Sequence, residues 1–155
     1  MPLLLSALFT WTLVGLLVGR RFIRLWKAGL IGVAIMVVAD YFGTRYNYYT
    51  YPGGIVYLSN LPLFLIILVY ATSILYLNWL PARWEQRFLY TVYVAALYLA
   101  VEAVMYSAGA IAYPRWKLWY SYPLLLGGLS LLAYLSDFVL FTDKRGKNFF
   151  PENKV

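Results

Sequence analysis

The sequence predicts an all-α integral membrane bundle of five transmembrane helices, with the N-terminus outside and the C-terminus in the cytoplasm. Three observations carry that prediction. The 155 residues are 63% hydrophobic and only 12% charged, with a mean hydropathy of +0.69, which leaves too little polar surface for a soluble domain. The apolar residues fall into five continuous runs, each near the roughly 20 residues that a helix needs to cross a bilayer. Finally, lysine and arginine gather on alternate loops. Arg20, Arg21, Arg24, Lys27, Arg83, Arg87, Lys144, Arg145, Lys147 and Lys154 lie on one side, and only Arg45, Arg115 and Lys117 on the other. The excess marks the cytoplasmic side.

The runs are expected at 2–19, 28–44, 55–80, 88–113 and 118–142. The first resembles a signal peptide in position, but no basic residue precedes it and no small-x-small pattern closes it, so it reads as a retained span. In the second, Gly29, Val33, Asp40 and Gly43 share one face, small enough for another helix to approach closely. Asn60 and Pro62 enter the third from the outer side, with Tyr46, Asn47, Tyr48, Tyr49 and Tyr51 above them as residues of an interfacial belt. Trp26, Trp79, Trp84, Trp116 and Trp119 stand at segment ends, as membrane anchors do. In the fifth run Asp137 is expected near the cytoplasmic end, within reach of Lys144. Residues 1–143 thus form one transmembrane domain, and 144–155 a flexible basic tail that marks topology or touches anionic lipid. No internal repeat stands out. Continuous runs exclude a β-barrel, whose strands alternate.

Absent residue types exclude several functions. With no cysteine and no histidine, disulfides, thiolate metal sites, imidazole-ligated haem and the commonest general base are all removed. There is no Gly-rich phosphate loop, no nucleophile elbow and no D-x-x-x-D pair for magnesium. No cofactor and no metal is expected. The net charge of +7 is explained by membrane orientation, and no nucleic-acid partner is expected.

What remains is a pair of carboxylates inside the apolar runs, where a charge at the bilayer centre costs about 2.5–3.5 kcal/mol on insertion scales. Asp40 and Glu102 stand at depths of roughly 18 and 21 Å from the cytoplasmic end of their helices, so they share a level in the outer half. Around Glu102, at 100° per residue, Thr91, Tyr98, Tyr106, Gly109 and Tyr113 fall within about 40° of one direction. The expected cluster is Asp40 and Glu102 as polar anchor, Arg45 as counter-ion, Asn60 beside them, and Tyr98, Tyr106 and Tyr113 as an aromatic wall. The same residues also support a purely structural reading, in which a paired carboxylate holds helices in register.

Two resemblances bear on this. The stretch "LYTVYVAALYLAVEAVMYSAGAIAYPRWKLWYSYPLLL", with Glu102 and the Tyr113, Trp116, Tyr120 spacing, resembles a family of small multi-helix membrane proteins of Gram-positive spore-formers. That likeness implies five helices and no assigned activity. Asp40, the tyrosine-rich loop and "NLPLF" at 60–64 are similar to heterodimeric-type bacterial lycopene cyclase domains. There a Pro-x-Glu-Glu motif is expected to protonate an isoprenoid double bond. In this chain Phe64 and Leu65 replace the acids, so those catalytic residues do not carry over.

The function expected is therefore non-enzymatic: a multi-pass cell-membrane protein that sits among membrane lipids and binds a lipid, an isoprenoid-like ligand or a membrane protein partner, a second copy included. The alternative is an acid-catalysed enzyme on a polyene or prenyl lipid, with Asp40 or Glu102 as proton donor and tyrosine faces stabilising the cation. A proton-coupled transporter ranks last, because the inner half offers only Thr72, Ser73 and Asn78 as polar groups.

Overall fold

The computed structural model describes residues 2–58 and 60–148, with side chains as far as residue 140. Within them lie the helices α1 (Pro2–Leu17), α2 (Phe22–Arg45), α3 (Leu63–Asn78), α4 (Trp84–Ser107) and α5 (Leu118–Asn148). A 3-10 turn over Gly19–Arg21 joins α1 to α2, and a small antiparallel hairpin, β1 (Tyr57–Leu58) and β2 (Leu61–Pro62), precedes α3. Three segments, Gly19–Arg45, Trp84–Ser107 and Leu118–Leu140, are long and apolar enough to cross a membrane. The apolar helices α1 and α3 have 16 residues each, a rise of roughly 24 Å against a hydrocarbon core of about 30 Å.

The element boundaries differ from the sequence expectation for identifiable reasons. Helix α2 starts at Phe22, not 28, because Arg24 and Lys27 are good helix formers whose long stems keep their charges at the surface. Helix α3 begins at Leu63, not 55: Pro62 is extended (φ −65°, ψ 132°), and the Leu63 N–H donates to Val56 O at 2.8 Å, folding 55–62 into the hairpin. Helix α4 ends at Ser107, not 113, because Gly109 adopts φ +72° and reverses the chain. Helix α5 continues to Asn148, past the expected start of the tail at 144; the tail from residue 149 lies outside the described residues.

Helix α3 packs between α1 and α2, α2 lies against α5, and α5 against α4. Small residues permit this: Ala28, Ala71 and Ala95 are fully buried in the core with Ile74, Tyr76 and Leu132, and close approach supplies the dispersion that holds apolar helices together. A Cβ on Gly29 would meet Ile74 at 2.8 Å, so this face of α2 is where α3 seats. The outside is also apolar. Phe9, Leu16, Ile23, Tyr93 and Trp119 are at least 66% exposed, a surface suited to hydrocarbon and not to water.

Helices α3 and α4 stand further apart, and tyrosines fill the gap. The Tyr76 and Thr91 hydroxyls share a hydrogen bond of 2.8 Å, Tyr90 donates to Tyr76 O at 3.1 Å, and Tyr98 donates to Thr72 O at 2.9 Å. Thr91 and Tyr98 therefore bond to α3, not to a stripe around Glu102. At the end carrying Arg83 and the 3-10 turn, Arg87 grips Asp137 of α5 through both guanidinium nitrogens, at 2.6 and 3.2 Å, and donates to Pro81 O. Asp137 is thus engaged by Arg87; the side chain of the expected neighbour Lys144 lies outside those described.

Candidate functional site

The opposite end of the bundle gathers the C-termini of α2 and α4, the N-termini of α3 and α5, and the loops between them. Leu3 of α1 packs here with Met105, Ala110 and Ile111, with Tyr51, Phe64, Leu65 and Tyr113 around them. Asp40 and Glu102 both lie at this end, one turn or more below the loops.

Each helix that carries a carboxylate ends in the same way. Seven residues after Asp40 stands Asn47 with φ +59°, and seven after Glu102 stands Gly109 with φ +72°. The Tyr48 N–H then reaches Gly43 O, and the Ala110 N–H reaches Met105 O, both at 2.9 Å. Both are Schellman closures, which satisfy terminal carbonyls and turn the chain back over its own helix. Eleven residues after each carboxylate a tyrosine, Tyr51 or Tyr113, returns its hydroxyl to that carboxylate, and a proline follows. Between the two corners Thr50 and Ala112 exchange both backbone bonds, at 2.9 and 2.8 Å. Thr50 and Ala112 occupy the same place in the two corners, so the bridge is reciprocal. The expectation of no internal repeat is corrected: "TYP" at 50–52 and "AYP" at 112–114 are the sequence trace of one construction used twice. With so few shared letters, the repeat emerges only when the carboxylates are aligned.

The carboxylates are satisfied by hydroxyls. Asp40, 7% exposed, accepts from Tyr49 at 2.7 Å on Oδ1 and from Tyr51 at 2.9 Å on Oδ2. Glu102 Oε1 accepts from Tyr113 and, at 2.5 Å, from Ser121 of α5, which in turn accepts from the Trp116 indole at 3.0 Å. Bonds from neutral donors to a carboxylate are among the stronger ones and offset much of the cost of removing the charge from water. Burial, followed by the neighbouring Asp40 carboxylate, pushes the Tyr49 and Tyr51 hydroxyls well above the ordinary phenol value. Burial and the bond to Glu102 do the same for Tyr113, so all three remain donors. Tyr49 fits only because residue 43 is glycine, since a Cβ there would overlap the Tyr49 phenol. Trp116 lies 5.8 Å from Tyr49 and joins the corners.

Set against the expected cluster, the structure brings Asp40, Glu102, Tyr106 and Tyr113 to one end with Asn60 at the nearby cleft, and turns Arg45 and Tyr98 elsewhere. Arg45 is not the counter-ion: its guanidinium turns outward to donate to the Tyr41 hydroxyl at 3.0 Å. Tyr49 and Tyr51, read as belt residues, are the partners of Asp40. Tyr98 faces Thr72 deeper in the bundle. Tyr106 stacks on Tyr113, with centroids 4.9 Å apart. Asn60 lies in the hairpin turn instead of in a helix. There it lines a polar cleft of about 380 Å³ with Thr44, Thr50, Tyr51, Pro52 and Tyr57. Among the described residues no group of three or more acidic side chains is placed to hold a metal.

No known protein family, curated protein or solved structure matches the chain.

Proposed function

We propose that this chain is a five-span protein of the cell membrane, N-terminus outside and C-terminus in the cytoplasm, that holds a lipid or isoprenoid-like molecule at its carboxylate end without transforming it. One observation carries the reading: the cleft beside Asp40 opens where α2, the hairpin and the first corner meet, at the end away from most of the basic residues. The hairpin supports the span count. It prolongs the short α3 with Ile55, Val56 and Leu58 exposed at 53, 49 and 65%, apolar surface that lipid would cover. Phe64 and Leu65, which stand where the similar cyclases carry their acids, pack into the apolar cluster around Leu3, which favours binding over proton transfer.

The test is native mass spectrometry of the purified protein with extraction of whatever accompanies it. A discrete lipid or isoprenoid retained by the wild type and by the anchor variant Trp26→Leu, but lost in Thr44→Phe, which fills the cleft, with folding intact, is the expected result. A chain that carries bulk phospholipid alone, or that travels with a second membrane protein, would refute ligand binding and leave the carboxylates a structural role or an interface.

A further inference from the structure

The cleft lies in the first corner, and the repeat shows what stands in the corresponding place of the second. Residue 44 of the first corner corresponds to residue 106 of the second, and residue 50 to residue 112. In the second corner Tyr106 lays its ring on Tyr113, nearly parallel at 15°. In the first corner the equivalent residue is Thr44, and the space beside Tyr51, the counterpart of Tyr113, is the cleft. The second corner thus carries, as part of its own chain, a ring in the position that the first leaves open.

Hydrogen bonding narrows what fits. Thr44 commits its proton to Asp40 O at 2.7 Å, Tyr51 donates to the Asp40 carboxylate, and Tyr57 donates to Tyr51 O while accepting from Gly54 N. These three hydroxyls have spent their hydrogens and keep only lone pairs to offer, while the Thr50 hydroxyl and the Asn60 amide can also donate. None of the residues lining it is a cation, and the Asp40 carboxylate stands one hydroxyl behind the wall. A wall that holds no cation and has a carboxylate behind it disfavours an anionic phosphate. It suits a ring that stacks through its carbon face and donates from its rim.

We propose that the first corner binds a neutral sugar ring, packed on Tyr51 in the place where Tyr106 packs on Tyr113, with its hydroxyls donating to Thr44, Tyr57 and Asn60. This rests on the reading of the carboxylate end as a ligand site and names the polar group of that ligand. The sugar is either the headgroup of a glycolipid or a free saccharide.

The experiment uses the full chain in nanodiscs, offered monoglucosyl-diacylglycerol, phosphatidylglycerol and farnesol in separate arms, with methyl glucoside as the soluble probe. Selective retention of the glucolipid is expected. Thr44→Tyr, which rebuilds the second corner's ring in the first, should weaken it by at least about tenfold, while Asn60→Leu at the exposed rim weakens it less. Tyr106→Thr should add a second binding event by opening the other corner. Binding of glucolipid without methyl glucoside assigns the sugar to a membrane lipid, and saturable binding of both assigns it to the saccharide itself. Retention of phosphatidylglycerol or farnesol in preference, or glucolipid binding that Thr44→Tyr leaves unchanged, overturns the sugar assignment but preserves a ligand site. Absence of selective retention in every arm removes both.

Discussion

Gly43→Ala sets local propensity and tertiary packing against each other. Alanine in a helix interior is about 1 kcal/mol better than glycine, so propensity alone predicts a more stable protein. Packing predicts the reverse, because the new Cβ would occupy the space of the Tyr49 phenol. Moving that ring costs about 1–3 kcal/mol of overpacking. It also takes the hydroxyl off Asp40 Oδ1, where it sits at 2.7 Å, and a lost bond to a buried charged group costs about 1.5–3 kcal/mol. After the propensity gain is deducted, the net destabilisation is roughly 1.5–5 kcal/mol. Unfolding in mixed micelles followed by tryptophan fluorescence suits the measurement, since Trp116 packs against Tyr49 at 5.8 Å and reports the corner directly. The second arm is the pair with Tyr49→Leu, a side chain too short to meet the new methyl: Gly43→Ala should then cost nothing or stabilise. A neutral or stabilising single substitution, or additive costs in the pair, would refute the claim that Gly43 exists to seat Tyr49.

Three other outcomes are expected. Asp137→Ala strips Arg87 of its bidentate partner, whose side chain is 28% exposed against 13% for the arginine. The loss should be about 1–3 kcal/mol, with partial recovery when the two charges are exchanged in one chain; no change in micellar unfolding would count against the α4–α5 clamp. The phenols of Tyr49, Tyr51 and Tyr113 are held above the ordinary value of 10.0. The fold therefore favours their neutral forms, and their contribution is whole below about pH 10 and falls as pH climbs past it towards the folded values. Ultraviolet titration should show these phenols ionising late and with loss of structure, and ionisation in step with the exposed tyrosines would contradict their burial. Because the chain contains no cysteine, Arg115→Cys and Arg83→Cys report topology cleanly. An impermeant thiol reagent should label only the first in intact cells, and labelling of residue 83 alone would invert the proposed orientation.

What the sequence made legible was the one-dimensional part of this architecture. Apolar runs and loop charges reveal helices, and helical rise alone puts Asp40 and Glu102 at one level. A shared depth survives boundary errors of similar size in both helices, which is why the pair is legible although α2 starts at Phe22 rather than 28 and α4 at Trp84 rather than 88. The partners depend on a backbone reversal that periodicity does not contain. Tyr113 was assigned to the Glu102 face by extending the helix to residue 113. It reaches Glu102 because the helix stops, and its place on the stripe was right for the wrong reason. Arg45 was chosen as counter-ion by charge and proximity along the chain. At the last turn of α2 a long guanidinium stem points away to Tyr41, while the returning loop brings two phenols in its place. Gly109 was a visible stop signal, but Asn47 tolerates φ > 0 less obviously, and without pairing the two the repeat stayed hidden.

The choice of phenols over guanidinium at Asp40 has a consequence for how the two corners divide their work. An arginine would bring a charge of its own to the carboxylate, whereas hydroxyl donors satisfy its lone pairs from neutral groups. In the second corner the carboxylate is enclosed: Tyr113 and Ser121 both bond to Glu102, Trp116 backs Ser121, and Tyr106 covers Tyr113. In the first corner the same scaffold holds Asp40 but leaves Tyr51 beside an open cleft. Two identical turns tied by a reciprocal backbone bridge would need neither difference if the cluster served stability alone. The small Thr44 forgoes the stacking of roughly 0.5–1.5 kcal/mol that Tyr106 gains. On the proposed reading, the position beside Asp40 that gives up aromatic packing is kept for an occupant from outside the chain.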